Sequence, residues 1–394
     1  MNQETRSFIY ENSEADVLQL ALLSNRFPKV DMPFAIRQIH GKQKIKSKVP
    51  LFYSTENILY PAQISLEQSS SESTAQYKSS LCNGNSIVDL TGGFGIDCFF
   101  MSEQFEKVTY VERQGELCKL AQHNFSALNK NHIQVIHAET EQYLDKMDHV
   151  DWIYIDPARR SQTGHKVIVL TECEPDVSVL YPLLLQKATH VMIKLSPMMD
   201  ISSVVHDLPY TNEIHIISVE NECKEVLLIL NQDIRNNIKI RTINFRKSKE
   251  NQLFEFYQVD ELTAAVSVSS NVEKYLYEPN AAIMKSGAFK LIGNRFQICK
   301  LNKNTHLYTS NELFPEFPGR IFEVTGQYGN SKKDFINLST KISKANISVR
   351  NYPLSVNELR KKLKIKEGGD VFLFACSIHD ELKVIIETKK NELV

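Results

Sequence analysis

Residues 87–97 read IVDLTGGFGID, and the rest of the chain is organised around them. Ile87, Val88 and Leu90 form a short apolar run that carries an acid, Asp89, and breaks into Thr91-Gly92-Gly93-Phe94-Gly95. An apolar strand that gives way to glycines brings backbone close to a ligand, because glycine has no side chain to hold it off. A helix starting at Ile96-Asp97 then presents free backbone N–H groups beside that ligand. The stretch is not the dinucleotide fingerprint GxGxxG, whose glycines fall at other offsets.

From Ser86 onward strand and helix patterns alternate, which implies a parallel sheet covered on both faces. The strands are expected at 87–90, 108–112, 134–139, 151–156 and 190–194, with a helix over 116–129. Residues 214–219 and 226–230 flank Glu220-Asn221-Glu222-Cys223-Lys224-Glu225 and read as a closing antiparallel hairpin. Ligands of such sheets bind beyond the carboxyl ends of the strands, where Asp89, Glu112, Glu139 and Asp156 all fall. Glu112, twenty-three residues after Asp89, is well placed to accept hydrogen bonds from ribose hydroxyls. Asp156 is followed by Pro157-Ala158-Arg159-Arg160, and Lys194 by Leu195-Ser196-Pro197.

Upstream, the first eighty or so residues read as helical. Ser13-Glu14-Ala15-Asp16 has a capping-box pattern before an apolar run, and Asp31-Met32-Pro33 opens a second helix. That helix runs into residues 37–48, where basic side chains cluster without an acid. Such a run is either a solvated helix face or a phosphate-binding surface. Ser69 and Glu72 have capping-box spacing and suggest a helix that folds over the glycine turn. Downstream of Asn231 the segments are shorter and β-rich. Residues 254–259 alternate, 281–286 suit a helix, and 289–292, 295–301 and 306–309 are short strand candidates. The tail reads strand 347–350, helix 356–363, strand 371–375, strand 382–387, with Lys361, Lys362, Lys364 and Lys366 after the helix.

The bulk numbers exclude several classes. With 394 residues, 42% hydrophobic and 24% charged, the chain suits two or three globular domains. A formal net charge of −1 means that any nucleic-acid surface must be local. The opening residues carry acids where a signal peptide needs an apolar core, and no stretch approaches a membrane span, so a cytoplasmic protein is expected. The seven cysteines form no CxxC pair, and the eleven histidines no HExxH, so no metal is expected.

The strings EQSSSESTAQYK, DLTGGFGID, YIDPARR, KLSPMMD, NECKE, YLYEPN and FPGR, spread over nearly the whole length, resemble a family of bacterial class I methyltransferases with a THUMP-like C-terminal part. The resemblance implies an α/β fold: a Rossmann-like class I methyltransferase sheet, an N-terminal helical region, and C-terminal α+β modules, ferredoxin-like and THUMP-like. The corresponding division is 1–81 helical, 82–234 methyltransferase, 235–320 ferredoxin-like and 321–394 THUMP-like. The glycine turn is also similar to that of a small-subunit rRNA guanine methyltransferase family. THUMP domains proper help RNA-modifying enzymes to hold RNA, so the resemblance implies an RNA substrate, rRNA or tRNA. It also implies S-adenosylmethionine as cofactor, held by Asp89, Thr91, Gly92, Gly93, Gly95, Glu112 and Glu139, with Glu112 on the ribose and Glu139 on the adenine amine. Asp156 and Pro157 are the expected catalytic residues, and Arg159, Arg160 and Lys194 the expected substrate contacts. Amino-group methyltransferases commonly carry two prolines and an aromatic after the strand-four acid. Asp156-Pro157-Ala158-Arg159 lacks that aromatic, which leaves the target atom open.

Three other readings stay open. A thiolate at Cys173 or Cys223 could attack a pyrimidine ring. A non-catalytic RNA-binding protein could retain the fold. A small molecule could be the methyl acceptor.

Overall fold

The computed structural model describes residues 1–159, 169–233, 237–247 and 249–391. The chain divides into two compact units, Met1–Asn212 with Leu227–Ile234, and Glu213–Val226 with Arg235–Val394.

The first unit opens with six helices: α1 (Gln3–Glu11), α2 (Val17–Leu22), α3 (Met32–Ile45), α4 (Pro50–Ser54), α5 (Gln63–Gln68) and α6 (Glu72–Ser80). Asp31 caps α3 by accepting from Phe34 N, as expected. The other caps are corrections. Asp16 alone caps α2, accepting from Leu18 and Gln19, and Ser71, not Ser69, caps α6 by accepting from Thr74 N. Ser69 instead closes α5, while Glu72 reaches across to Leu51 N at 2.8 Å. The basic run on α3 is partly tied up: Lys46 pairs with Glu14 at 3.4 Å, and Lys48 Nζ donates to Leu66 O and Glu67 O.

Then follow β1 (Ser86–Asp89), α7 (Ile96–Met101), β2 (Lys107–Glu112), α8 (Gly115–Ala127), β3 (Ile133–His137), α9 (Thr140–Lys146), β4 (Val150–Ile155), the short pair β5 (Ala158–Arg159) and β6 (Cys173–Glu174), α10 (Val177–Lys187), β7 (Ala188–Leu195) and α11 (Ile201–Asp207). The five long strands pair in parallel in the order β7-β4-β1-β2-β3. Their apolar runs are buried, with Ile153, Ile155, Val191 and Ile193 inaccessible, as strands covered on both faces require. The chain leaves β1 toward β2 and β3 and returns to β4 and β7 on the other side. The order therefore reverses between β1 and β4, and the crevice of an open α/β sheet forms beyond such a reversal.

The strands β8 (Thr211–Val219) and β9 (Glu222–Asn231) flank a turn at Glu220-Asn221, both with positive φ. In the second unit β8 is paired in parallel by β10 (Lys239–Phe245), and β10 in turn antiparallel by β11 (Gln252–Tyr257). After α12 (Gln258–Thr263) come β12 (Tyr275–Pro279), α13 (Ala281–Ser286), α14 (Leu291–Arg295), β13 (Cys299–Asn302), β14 (Thr305–Ser310), β15 (Gly319–Tyr328), α15 (Lys332–Lys341), β16 (Asn346–Arg350), α16 (Val356–Leu363), β17 (Val371–Ser377) and β18 (Lys383–Lys390). These strands form a seven-stranded sheet in the order β13-β14-β12-β15-β18-β17-β16. Strand β17 divides its side chains by the period of two. Leu373 and Ala375 join Leu338, Leu359 and Leu363 of the two helices, whereas Phe374 and Cys376 join Leu276, Leu301, Leu307 and Phe322 on the opposite face.

The conspicuous strings of this unit build the fold. In YLYEPN the buried Glu278 binds two guanidiniums: its Oε2 accepts from both Nε and Nη2 of Arg320 of FPGR, and its Oε1 from Arg350 Nη2 at 2.7 Å. Gly319 is obligatory, because a Cβ there would lie 2.1 Å from Glu278 O. Asn221 of NECKE accepts from Ala281 N at 2.8 Å and donates its own N–H to Asn244 Oδ1 at 2.9 Å. Asn244 and Asn280 both donate to Gln252 Oε1, and Ser218 donates to Asn244 Oδ1. Residues 289–292, expected as a strand, instead lead into the helix α14.

Candidate active site

The glycine turn leaves β1 at the reversal point, and its neighbours fix its shape. Gly92 N donates to Val111 O at 2.9 Å, Gly95 N to Gly92 O at 2.9 Å, and Tyr110 OH to Gly93 O at 2.6 Å. A Cβ on Gly92 would lie 2.1 Å from the Tyr110 ring, so only glycine fits. Gly93 (φ +55°) and Gly95 (φ +85°) adopt left-handed backbone that side chains disfavour. A Cβ on Gly93 would meet nothing nearer than Thr91 O at 3.7 Å. The turn thus offers bare backbone to open space.

Three acids surround it. Asp89, last in β1, accepts from Thr91 N at 3.0 Å. Burial pushes its carboxyl well above the usual carboxylate range, against that bond. Glu112, last in β2 and 7% exposed, accepts from Gly93 N (2.9 Å) through one oxygen and from Gln114 N (2.8 Å) through the other. A carboxylate has about four acceptor directions, so lone pairs remain for a ribose hydroxyl. Asp156 directly follows β4, and its N–H donates to Thr91 Oγ1 at 2.6 Å, which ties the end of β4 to the turn. Glu139 lies exposed just beyond β3, ahead of α9.

Behind Asp156 lies a charge cluster that the sequence reading missed. Lys194, at the end of β7, is buried and sits 2.5 Å from Asp156 Oδ2 and 3.7 Å from Asp97 Oδ2. Asp97, in the first turn of α7, accepts from Ser70 Oγ (2.7 Å) and Tyr154 OH (2.8 Å) and pairs with Lys78 Nζ at 3.3 Å. Lys78, on α6, is fully buried and donates to Ser70 Oγ at 3.1 Å. Burial opposes the charge of Asp97, but Lys78, Lys194 and the two hydroxyls outweigh it and hold the carboxyl below its ordinary value. At Asp156 burial wins over the Lys194 contact and the carboxyl stays above its ordinary value. About a third of that side chain is open to solvent, which weakens the push. The sequence held one clue: Asp97 is the only charged residue in IDCFFM, a helix whose six residues are all buried, and such an acid requires a partner.

Of the remaining expected contacts, Arg159 is placed by its backbone, as β5 pairs antiparallel with β6. Arg160 lies outside the described residues. Glu174, which ends β6, pairs with Arg113 at 2.6 Å. Cys173 is buried, and burial pushes the Cys223 thiol up to about 11. Among the described residues no group of acids, histidines and cysteines is arranged to hold a metal, and no helix is long and apolar enough to cross a membrane.

A parallel sheet in this order, with a glycine turn after its central strand, is the fold of a class I methyltransferase. Residues 275–318 match a ferredoxin-like domain and residues 319–390 a THUMP domain-like family. A presumed methyltransferase from Porphyromonas gingivalis W83 has a crystal structure 31% identical to this chain. It superposes with a TM-score of 0.88 over 99% of this chain and 98% of its own. The chain belongs to this family of methyltransferases with ferredoxin-like and THUMP-like C-terminal domains. Lower similarity links it to a presumed methyltransferase of Streptococcus mutans solved with SAH (13% identity, TM-score 0.31, 41% of this chain and 96% of that one). An rRNA methylase of Streptococcus thermophilus stands at 12% identity and TM-score 0.30, over 40% of this chain and 93% of that one. No curated protein matches.

Proposed function

We propose that the protein transfers a methyl group from S-adenosylmethionine to a base in RNA, rRNA or tRNA. The observation that carries this reading is the meeting of three groups at the ends of β1, β2 and β4: an open glycine turn, a Glu112 carboxylate with acceptor capacity to spare, and Asp156. The cofactor supplies a methyl that is already electrophilic on its sulfonium. Glu112 accepts the ribose hydroxyls, and Glu139, at the mouth of β3, the adenine amine. Gly92, Gly93 and Gly95 let the backbone approach, with Asp89 and Thr91 setting the start of the turn.

Asp156 accepts a hydrogen bond from the group to be methylated and turns its lone pair toward the methyl. Pro157 restricts how the chain leaves the strand and so fixes that carboxylate. Arg159 and Arg160 contact phosphate, for which a guanidinium fork is suited. RNA as substrate is supported by the THUMP domain-like match, and it implies a cytoplasmic site of action. A thiolate mechanism is disfavoured at Cys223, whose thiol stays protonated near neutral pH.

Comparing nucleosides of total RNA from a deletion strain and its parent by mass spectrometry tests the reading. One methylated nucleoside should vanish, and return with the wild-type gene but not with Asp156→Ala. Unchanged nucleosides, together with no calorimetric binding of S-adenosylhomocysteine, would reject it.

A further inference from the structure

We propose that Lys78 is a positioning residue of this site: by neutralising Asp97 it leaves the Lys194 ammonium to Asp156. The inference rests on the reading of Asp156 as the acid that orients the acceptor. It gives the EQSSSESTAQYK string, which ends at Lys78, a part in the chemistry.

The argument is one of competition between two carboxylates. Asp97 and Asp156 share Lys194, at 3.7 Å and 2.5 Å. Asp97 has a second ammonium, Lys78, at 3.3 Å. Both lysines are buried, with 0% and 10% of their side chains exposed, so water cannot replace either as a counter-charge. Ser70 Oγ receives from Lys78 (3.1 Å) and Lys194 (3.4 Å) and donates to Asp97 (2.7 Å), which locks the three together.

With Lys78 gone, two carboxylates contend for one ammonium. Asp97, 11% exposed, keeps only the Ser70 and Tyr154 hydroxyls, which bring no counter-charge. Asp156, 35% exposed, can take a proton or turn to solvent. Lys194 therefore moves to Asp97, and Asp156 loses its partner. Among the described residues, other titratable groups that bear on the cluster include Asp89 on β1, Cys98 on α7 and Tyr154 on β4. All are kept in the variants below.

The test titrates the full chain, labelled with carbon-13 at its aspartate carboxyls, without RNA or cofactor, the Asp156 resonance being assigned by its loss in D156N. K78M should raise the Asp156 midpoint by about one pH unit or more, and K78R should leave it in place. The double variant K78M/D97N should bring the midpoint back, because the competitor is gone. Simple loosening of the fold would move the double variant at least as far as K78M. An unmoved midpoint in K78M, or no return on adding D97N, overturns the proposal. Should K78M fail to fold, D97N carries the test: with both ammoniums then facing Asp156 the midpoint falls, and a midpoint that stays put overturns the proposal. The titration needs no substrate, so its failure is distinct from failure of the RNA reading, which the nucleoside comparison decides.

Discussion

Replacing Glu112 with Gln keeps the shape of the side chain and removes its charge. In the native site each oxygen accepts one backbone N–H, Gly93 at 2.9 Å and Gln114 at 2.8 Å. An amide can accept only one of these; its NH₂ must face the other N–H, donor against donor. A hydrogen bond to a charged acceptor is worth about 1.5–3 kcal/mol, and a buried donor left unpaired costs a similar amount. If the amide oxygen stays on Gln114, the turn at Gly93 is released; if it stays on Gly93, the start of α8 is. Either way the ribose hydroxyls meet a weaker acceptor in a less fixed turn. Affinity for S-adenosylhomocysteine should fall by about 1–3 kcal/mol, or about 5- to 150-fold. Isothermal calorimetry at 25 °C measures this, with circular dichroism and thermal unfolding of the unliganded variant as controls. Binding within about twofold of wild type would refute the role of Glu112 and the hydrogen-bond accounting behind it.

Asp156→Ala should cost about 10²-fold or more in single-turnover methylation while leaving S-adenosylhomocysteine affinity nearly intact. Cys173→Ala and Cys223→Ala should transfer methyl at close to the native rate, and the opposite pattern would install the covalent route. Gly92→Ala should abolish cofactor binding in calorimetry, since the new methyl would sit 2.1 Å from the Tyr110 ring. His306 is stacked on Phe289 at 3.6 Å, and burial, Lys300 and Arg350 push its midpoint down to about 4. The unfolded chain binds that proton near the ordinary value of about 6.5. Between these values the unfolded state is the more protonated, so stability is lost as pH falls through the window. His306→Gln should flatten this part of the pH dependence of thermal unfolding; an unchanged slope would show that another group sets it.

The parallel sheet was legible because each strand is a short apolar run, four of the five with an acid at or just past the end, and burial on both faces suits such runs. Asp89, Glu112 and Asp156 could be placed by that rule alone. Strand β10 was missed because Lys239 and Arg241 interrupt KIRTINF, so it resembles an exposed segment. Strand β15 and helix α15 were missed too: β15 alternates with small and charged residues, and α15 buries only Leu338. Lys194, expected at the site as a substrate contact, is buried beside Asp156. Its partners are fixed by contacts that join residue 70 to residues 97 and 194, a separation that no local pattern reports. Ser71 displaced Ser69 as cap because α5 runs to Gln68 and uses Ser69 to end.

The joint of Ser218, Asn221, Asn244, Gln252 and Asn280 is made of neutral amides and a hydroxyl, with Ser218, Asn244 and Asn280 buried. Its bonds therefore carry no net charge for dissolved ions to screen. The carboxylate that gathers Arg320 and Arg350 is itself 4% exposed while its guanidinium partners are 36% and 39% exposed, so these pairs are screened less than ones between two surface side chains. Ionic strength can thus be raised without loosening this part of the second unit. If the protein binds RNA as proposed, a fall in affinity across a salt series would then count phosphate contacts, as the slope of log affinity against log salt requires, rather than report a loosening of this unit.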